Sequence, residues 1–385
     1  MFRTSASFIL ALLTGLALAG LSAAGGMPDA VKPNTARAET TRVAAPSNSA
    51  RVDARPAMAA PAPVIAVNPK VERARRSAAQ GADLAAVAAA HQSQRLKLIN
   101  SVRSWAVQMQ DLDVETARNA PVDLIVTDAT SGARGGTALS ADDVAGIKVK
   151  PDGTRRIAIS YLSIGESEDY RPEYFDSEYM KEDAPDWLLK ENKTWKGNRL
   201  IRFCQEGWQR TILGDEDGKS LYSSLEPSPL YRLIELGFDG VYLDRVDVYS
   251  EVVKECPDAA AKMVAFVARL AAHARKKNPN FIVILQNAEE LLGNPQMVSS
   301  IDAIAKEDLF YGVDHSEREN DPVMVQGILA NLDRATSAGR PVFVLDYIKD
   351  PVRRAADKAK IEQRGFIPYF GPRKLDQLWL PSANF

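Results

Sequence analysis

From Ser104 onward, short apolar runs alternate with longer amphipathic stretches, and this rhythm limits the possible folds more than any other feature of the chain. The runs fall at 105–107, 122–126, 157–162, 200–203, 240–243, 281–285, 303–305 and 342–345. Runs this short, bounded by Gly or charge, fit strands covered on both faces. Between them, 229–236, 258–277 and 321–338 carry helical character. The clearest is 258–277, with Met263, Val264, Val267 and Leu270 along one face, and 321–338 stops at Gly339. Strand alternating with helix indicates a parallel sheet. Eight such units over roughly 270 residues predict a (β/α)8 TIM barrel, for which about 250 residues is typical. An open doubly wound sheet is the alternative, but no GxGxxG follows any run.

The chain ahead of the barrel divides into three predicted segments. Residues 1–24 read as a signal peptide: Arg3 supplies a positive start, 8–21 is apolar, and Ser22, Ala23 and Ala24 suit cleavage. The apolar stretch is too short for a comfortable membrane span. A secreted or periplasmic protein without a stable membrane span is expected. Residues 25–70, rich in Ala and Pro, are expected to be a disordered linker. Residues 71–103 read as a helical lead-in, and 104–385 as the barrel domain.

Charge is unevenly spread. The whole chain has 48 Lys+Arg against 50 Asp+Glu, yet its first hundred or so residues are basic, so the barrel region is acidic. An acidic body attracts cationic ligands and repels nucleic acid. Histidine is scarce: His91, His273 and His315 show no HxxxH spacing, which disfavours a histidine-bound zinc site. Cys204 and Cys256 form no CxxC pattern, and their pairing is left open. No cofactor and no resident metal is expected, and the chain is expected to act as a monomer.

The residues just past the runs are Gln108, Asp128, Gly165-Glu166, Gln205-Glu206, Asp244, Gln286-Asn287, Glu307-Asp308 and Asp346-Tyr347. In a parallel barrel these strand ends would ring one mouth. Asp244, in the stretch GFDGVYLDRVD at 237–247, reads either as a catalytic acid or as a cap of the next turn. Carboxylates without histidine point to glycoside hydrolysis or to an all-oxygen Mg²⁺ or Ca²⁺ site. A Ser-His-Asp hydrolase is disfavoured because no GxSxG occurs, and Ser163-Ile164-Gly165 reads as a backbone turn. Trp105, Tyr161, Tyr170, Tyr242, Phe310, Tyr311 and Tyr347 lie near the acids, as in sugar sites; Tyr242, inside a run, reads as core. Trp187, Trp195 and Trp208 read equally well as a sugar-binding lip and as a small local core.

Several motifs together resemble glycoside hydrolase family 114, the endo-α-1,4-polygalactosaminidases. They are YLSIGESEDYR at 161–171, GFDGVYLDRVD at 237–247, Gln286-Asn287, Glu307 to Tyr311, the turn Trp195 to Asn198, and Trp208. The resemblance spans about residues 104–370. Some members have carried a cysteinyl-tRNA synthetase-related label, which the acidic body and the export signal oppose here. The resemblance implies a barrel that cleaves α-1,4-linked galactosamine polymer. Its catalytic Asp after the fifth strand and Glu after the seventh fall on Asp244, as nucleophile, and Glu307, as general acid/base. Asp128, Tyr161, Glu166, Asp247, Gln286, Asn287 and Tyr347 are the expected sugar-binding residues. Phe203-Cys204 and Asp346-Tyr347 depart from the family's usual Tyr-Trp and Glu-Tyr. The expected partner is a cationic amino-sugar polymer, drawn by Glu166, Glu168, Asp169, Asp247, Asp308 and Asp346 at the mouth. Clustered carboxylates also raise one another's pKa, which helps one serve as an acid. The alternatives are a non-catalytic polysaccharide-binding barrel in envelope or biofilm assembly, and a metal-dependent hydrolase or lyase.

Overall fold

A computed structural model describes residues 69–132, 136–171, 184–221 and 227–380. The predicted export signal and nearly all of the predicted linker lie outside them. Eight strands make one sheet in chain order: β1 (Trp105–Gln108), β2 (Leu124–Thr127), β3 (Ile157–Ser163), β4 (Gly240–Asp244), β5 (Ile282–Gln286), β6 (Ala303–Glu307), β7 (Val342–Asp346) and β8 (Ile367–Phe370). Every neighbouring pair is parallel. The ends of the sheet meet through side chains. The Trp105 indole N–H donates to the Ile367 carbonyl at 3.0 Å, and the Trp105 ring packs on Phe343 and Tyr369. The architecture is a (β/α)8 barrel, and its strands are buried because helices cover the outside.

One of the eight expected strands is misplaced, and one barrel strand was not expected. The run at 200–203 is not in the barrel. Asn198–Ile201 pairs antiparallel with Glu166–Glu168 and with Leu188–Glu191, forming a three-stranded sheet above β3. A tight turn can join antiparallel strands, whereas a barrel strand needs a crossover, and here the turn before Asn198 returns the chain directly. The eighth barrel strand is instead Ile367–Phe370. Pro368 lacks a backbone donor and argues against a strand, but β8 is the last of the ladder and pairs in backbone register with β7 alone. Asp244 therefore ends the fourth strand and Glu307 the sixth, rather than the fifth and seventh, and Asp346 ends the seventh.

The helices follow from their caps and apolar faces. Pro322–Ser337 starts on Asp321, which accepts from the Val323 and Met324 amides, with Pro at the first turn. Ala259–Lys277 buries Met263, Phe266, Val267 and Leu270 and ends in Arg275, Lys276 and Lys277, which suits its dipole. Cys204 and Cys256 are joined in a disulfide, which ties the loop after Asn198–Ile201 to the approach of that helix. The barrel lies in one compact unit, Ser77–Phe385; of the preceding unit, Met1–Arg76, only the first turns of helix Pro69–Ile99 are described. That helix is fixed near its C-terminus, where the buried Arg95 pairs with Asp302 at 3.0 Å and donates to the Pro279 carbonyl. Among the described residues no helix is long and apolar enough to cross a membrane.

Candidate active site

Three adjacent strands deliver polar side chains to one mouth: β4 ends in Asp244, β5 in Gln286 and β6 in Glu307. Each strand then leaves through residues in the left-handed region: Arg245 (φ 57°), Asn287 (51°) with Ala288 (53°), and Asp308 (50°). Non-glycine residues adopt that conformation at a cost of about 1–3 kcal/mol each, and such strain clusters at functional sites. The abrupt exits aim the last side chain of each strand into the mouth. Gly165, after β3, passes so close beneath Arg245 that an added Cβ would lie 1.9 Å from the Arg245 carbonyl oxygen. Ser163 is spent on this same turn: its hydroxyl donates to the Glu166 carbonyl and accepts from the Glu166 amide.

The mouth holds a cavity of about 380 Å³, within the range of small-ligand pockets. All nine residues expected from sequence line it: Asp128, Tyr161, Glu166, Asp244, Asp247, Gln286, Asn287, Glu307 and Tyr347. Their surroundings differ. Asp244 accepts from the Tyr161 hydroxyl at 2.8 Å and from the Arg245 backbone N–H at 2.7 Å. Burial, and next the charge of Glu307, raise its pKa to about 7; Asp247 adds to the rise, while Arg245 and Tyr161 oppose it. Glu307 is cradled by three donors. Gln286 Nε2 (2.6 Å) and Asn287 Nδ2 (3.0 Å) reach Oε2, and the Tyr347 hydroxyl reaches Oε1. Asn287 is itself locked, because its Oδ1 accepts from Lys306 Nζ and from the Glu307 amide, both at 3.1 Å. Gln286 Oε1 is buried without a partner. Burial and the neighbouring carboxylates hold the Tyr161 and Tyr347 phenols protonated.

Two of the nine are carboxylates tied up in buried ion pairs. Asp128 is gripped by the Arg171 guanidinium, with Nη1 at 3.0 Å from Oδ1, and Arg171 also pairs with Glu168. Glu166 accepts from Asn192 at 2.7 Å and Asn198 at 3.0 Å and pairs with Arg245 at 3.0 Å. These carboxylates hold the wall together. Asp247 is the open one: its side chain is 46% exposed, with Arg245 at 3.2 Å.

Other expectations change. Asp346 is fully buried beneath the mouth, where it accepts from the Leu309 amide and faces Asp357. Asp169 is outside the cavity wall. Gln205 and Glu206 leave the ring with their strand; they start helix Glu206–Leu213, and Glu206 pairs with Arg269. Gln108 is buried and donates to the Asp376 carbonyl. Trp187 and Trp208 form a local core, with ring centroids 4.9 Å apart, whereas Trp195 stands on the cavity rim. Tyr242 is fully buried in β4, as its place in the run suggested.

The residues that sequence reasoning missed are chiefly cations. Arg171, Arg245 and Arg373 all line the cavity. Arg373 pairs with Asp308 at 2.9 Å and lies over the Tyr347 ring, 4.2 Å from its centroid. A lone arginine reads as surface, and only the acids it meets across the fold reveal its place. Arg373 follows β8, so the missed strand hid it; the signal was the apolar run at 366–370 bounded by Gly365 and Gly371. Seven carboxylates line the cavity against four Lys and Arg side chains, so the mouth stays negative but is far more neutralised than a bare acid ring.

Comparison with known proteins fits this arrangement. Residues 85–382 match the family model described as Glycoside-hydrolase family GH114. An uncharacterized protein of Deinococcus radiodurans is 33% identical over 287 residues, 73% of this chain and 84% of that protein. The uncharacterized protein MJ1477 of Methanocaldococcus jannaschii is 31% identical over 300 residues, 73% of this chain and 80% of that protein. Among solved structures, the glycoside hydrolase domain of PelA from Pseudomonas aeruginosa superposes with a TM-score of 0.54 at 19% identity, covering 72% of this chain and 97% of that domain. At that identity the likeness concerns the fold alone.

Proposed function

The chain belongs to glycoside-hydrolase family GH114, and on that premise we propose that it is an endo-acting hydrolase of α-1,4-linked galactosamine-containing polysaccharide, with Asp244 and Glu307 as the catalytic pair. The observation that carries the assignment is the pair itself. Two carboxylates stand on strand ends either side of β5, close enough that the charge of one helps to lift the pKa of the other to about 7. Glycoside hydrolysis needs one carboxyl that gives a proton to the leaving oxygen and one that attacks, or activates water, as an anion. A carboxyl raised to about 7 beside a second carboxylate meets both needs.

Burial and the charge of Glu307 raise the Asp244 pKa to about 7, so a share of the free enzyme carries a proton there at neutral pH, while three donors point at Glu307. Attack by Asp244, the role the resemblance gives it, therefore requires the proton to pass to Glu307 when substrate binds. An ammonium group arriving beside Asp247 favours that transfer, because it lowers the pKa of the nearby Asp244. Gln286 can serve both states. As placed, its amide donates to Glu307; turned over, its unpartnered Oε1 accepts from a protonated Glu307. Asn287, locked by Lys306, keeps its orientation throughout.

Tyr161, Asp247, Gln286, Asn287 and Tyr347 are assigned to the sugar and to the pair, and Asp128 and Glu166 to holding Arg171 and Arg245. The negative mouth supports a cationic amino-sugar polymer. A disulfide suits an oxidising compartment, which agrees with the export-like start of the chain and supports a secreted or periplasmic site of action. The test is reducing-end release from partly deacetylated α-1,4-galactosamine polymer. Asp244→Asn and Glu307→Gln are each expected to lose about 10²–10⁴-fold in turnover while staying folded. Near wild-type turnover in either variant removes that residue from the pair, and binding without new reducing ends identifies a non-catalytic polysaccharide-binding barrel instead.

A further inference from the structure

We infer that Trp195 is the stacking platform of a second sugar subsite, built on the three-stranded sheet and held in fixed register with Asp244, and that Asp247 reads the amino group of the unit bound there. The inference rests on the proposed polysaccharide hydrolase activity and goes beyond it by naming a subsite that adjoins the catalytic pair.

Trp195 is 50% exposed although Trp is among the larger apolar side chains, and it lines the cavity. The other two tryptophans of this region, Trp187 and Trp208, are buried against each other, so Trp195 is not needed for the local core. A pyranose presents an apolar C–H face, and a rigid exposed indole is a good partner for it.

The ring stands on a braced turn. Asn192 Oδ1 accepts from the Thr194 amide at 2.8 Å and from the Trp195 amide at 3.3 Å, and the Asn198 amide donates to the Trp195 carbonyl at 3.1 Å. The turn is completed by Gly197 at φ 89°, where an added Cβ would lie 2.5 Å from Asp169 Oδ1. Asn192 then donates to Glu166 at 2.7 Å; Glu166 pairs with Arg245 at 3.0 Å; and the Arg245 backbone N–H donates to Asp244 at 2.7 Å. An unbroken chain of polar contacts thus indexes the platform to the strand end that carries Asp244. Preorganisation of this kind reduces the ordering cost of binding. Arg245 also reaches Asp247 at 3.2 Å, which brings that half-open carboxylate into the same cluster. The combination of an indole face and an anion suits an unacetylated amino sugar and disfavours its N-acetylated form, which carries no charge.

The test uses the full chain in two assays. In fluorescence titrations, galactosamine oligosaccharides are added to Glu307→Gln, with and without Trp195→Ala. In steady-state kinetics, long polymer is given to the wild type, Trp195→Ala, Trp195→Phe, Asn192→Ala and Asp247→Asn. Loss of one stacked ring is expected to weaken oligosaccharide binding about tenfold. In the kinetics it should appear mainly in KM rather than kcat, with Trp195→Phe regaining most of it. Asn192→Ala, which leaves the indole but frees it, is expected to raise KM about fivefold. Asp247→Asn is expected to shrink the preference for deacetylated over acetylated polymer. Cleavage by the wild type together with an unchanged KM in Trp195→Ala overturns the subsite and leaves the hydrolase reading intact. Absence of cleavage together with binding that still needs Trp195 overturns the hydrolase reading and keeps the subsite. Equal binding of both polymer forms by the wild type overturns the role of Asp247.

Discussion

Arg171→Met offers a severe check on how the cavity wall is held. The Arg171 guanidinium is nearly buried, at 9% exposed, between the carboxylates of Asp128 (7%) and Glu168 (3%). It grips both oxygens of Asp128 and also reaches Glu168, and it lies 5.5 Å from the Tyr161 ring centroid. Methionine keeps much of the volume and removes the charge. Two buried anions then lose their common counter-ion, and removing one partner of a buried pair costs about 3–5 kcal/mol. Equilibrium urea unfolding reads this as a fall in midpoint at constant slope. With slopes of about 1–3 kcal/mol per molar urea, and larger for larger chains, the midpoint should drop by about 1 M or more. The triple variant Arg171→Met, Asp128→Asn, Glu168→Gln removes the stranded charges and should recover much of the loss. A midpoint within about 0.2 M of wild type for Arg171→Met alone, below 1 kcal/mol on the same slopes, would refute the claim that this cluster is a buried electrostatic brace.

Other expectations follow from the same geometry. If the pair must keep one proton, kcat/KM should fall as pH rises through about 7, the value to which burial and Glu307 raise Asp244. Asp247→Asn removes one of the charges that raise it, so this limb should move to lower pH; a limb that stays put would remove Asp247 from the cause. Asp346 and Asp357 face each other in the core, and burial, then the Asp357 carboxyl through its hydrogen bond and its charge, push the Asp346 carboxyl well above its usual range. Acids whose folded pKa is raised bind more protons when folded, so the stability they give is lost as pH rises from the unfolded value toward the folded one. Asp357→Asn supplies an amide donor to Asp346, and its unfolding midpoint should gain on wild type at pH 8 but not at pH 5; a gain equal at both would exclude a shared proton. Gly165→Ala drives a methyl into the Arg245 carbonyl, 1.9 Å away, and should displace the Asp244 turn, costing about 1–3 kcal/mol of stability and most of the activity.

The sequence carried the barrel where burial on both faces leaves a mark. Val241, Tyr242 and Leu243, or Val283, Ile284 and Leu285, can hardly be anything but interior strand. It carried the strand-end positions of Asp244 and Glu307 for the same reason, since each closely follows such a run, whereas their proposed role as a pair comes from the family resemblance. What it could not carry is pairing. The run at 200–203 looks like any other until its antiparallel partners are known, and Pro368 masks a strand that the end of a ladder tolerates. The acids were legible as positions but not as states. Glu166 and Glu168 read as open anions although Arg245 and Arg171 hold them, and Asp346 read as rim although it is core. Asp128 meets Arg171 43 residues along the chain, and Glu307 meets Tyr347 40 residues along, distances at which local patterns are silent.

The measurement that bears most directly on the central claim is product analysis by mass and reducing ends on the full chain. It is run with partly deacetylated α-1,4-galactosamine polymer, its N-acetylated form and a β-linked control, with Asp244→Asn and Glu307→Gln alongside. The account predicts oligomers from the deacetylated α-linked polymer and a loss of about a hundredfold or more in each variant. Equal release by either variant, or release from the β-linked control alone, would contradict it.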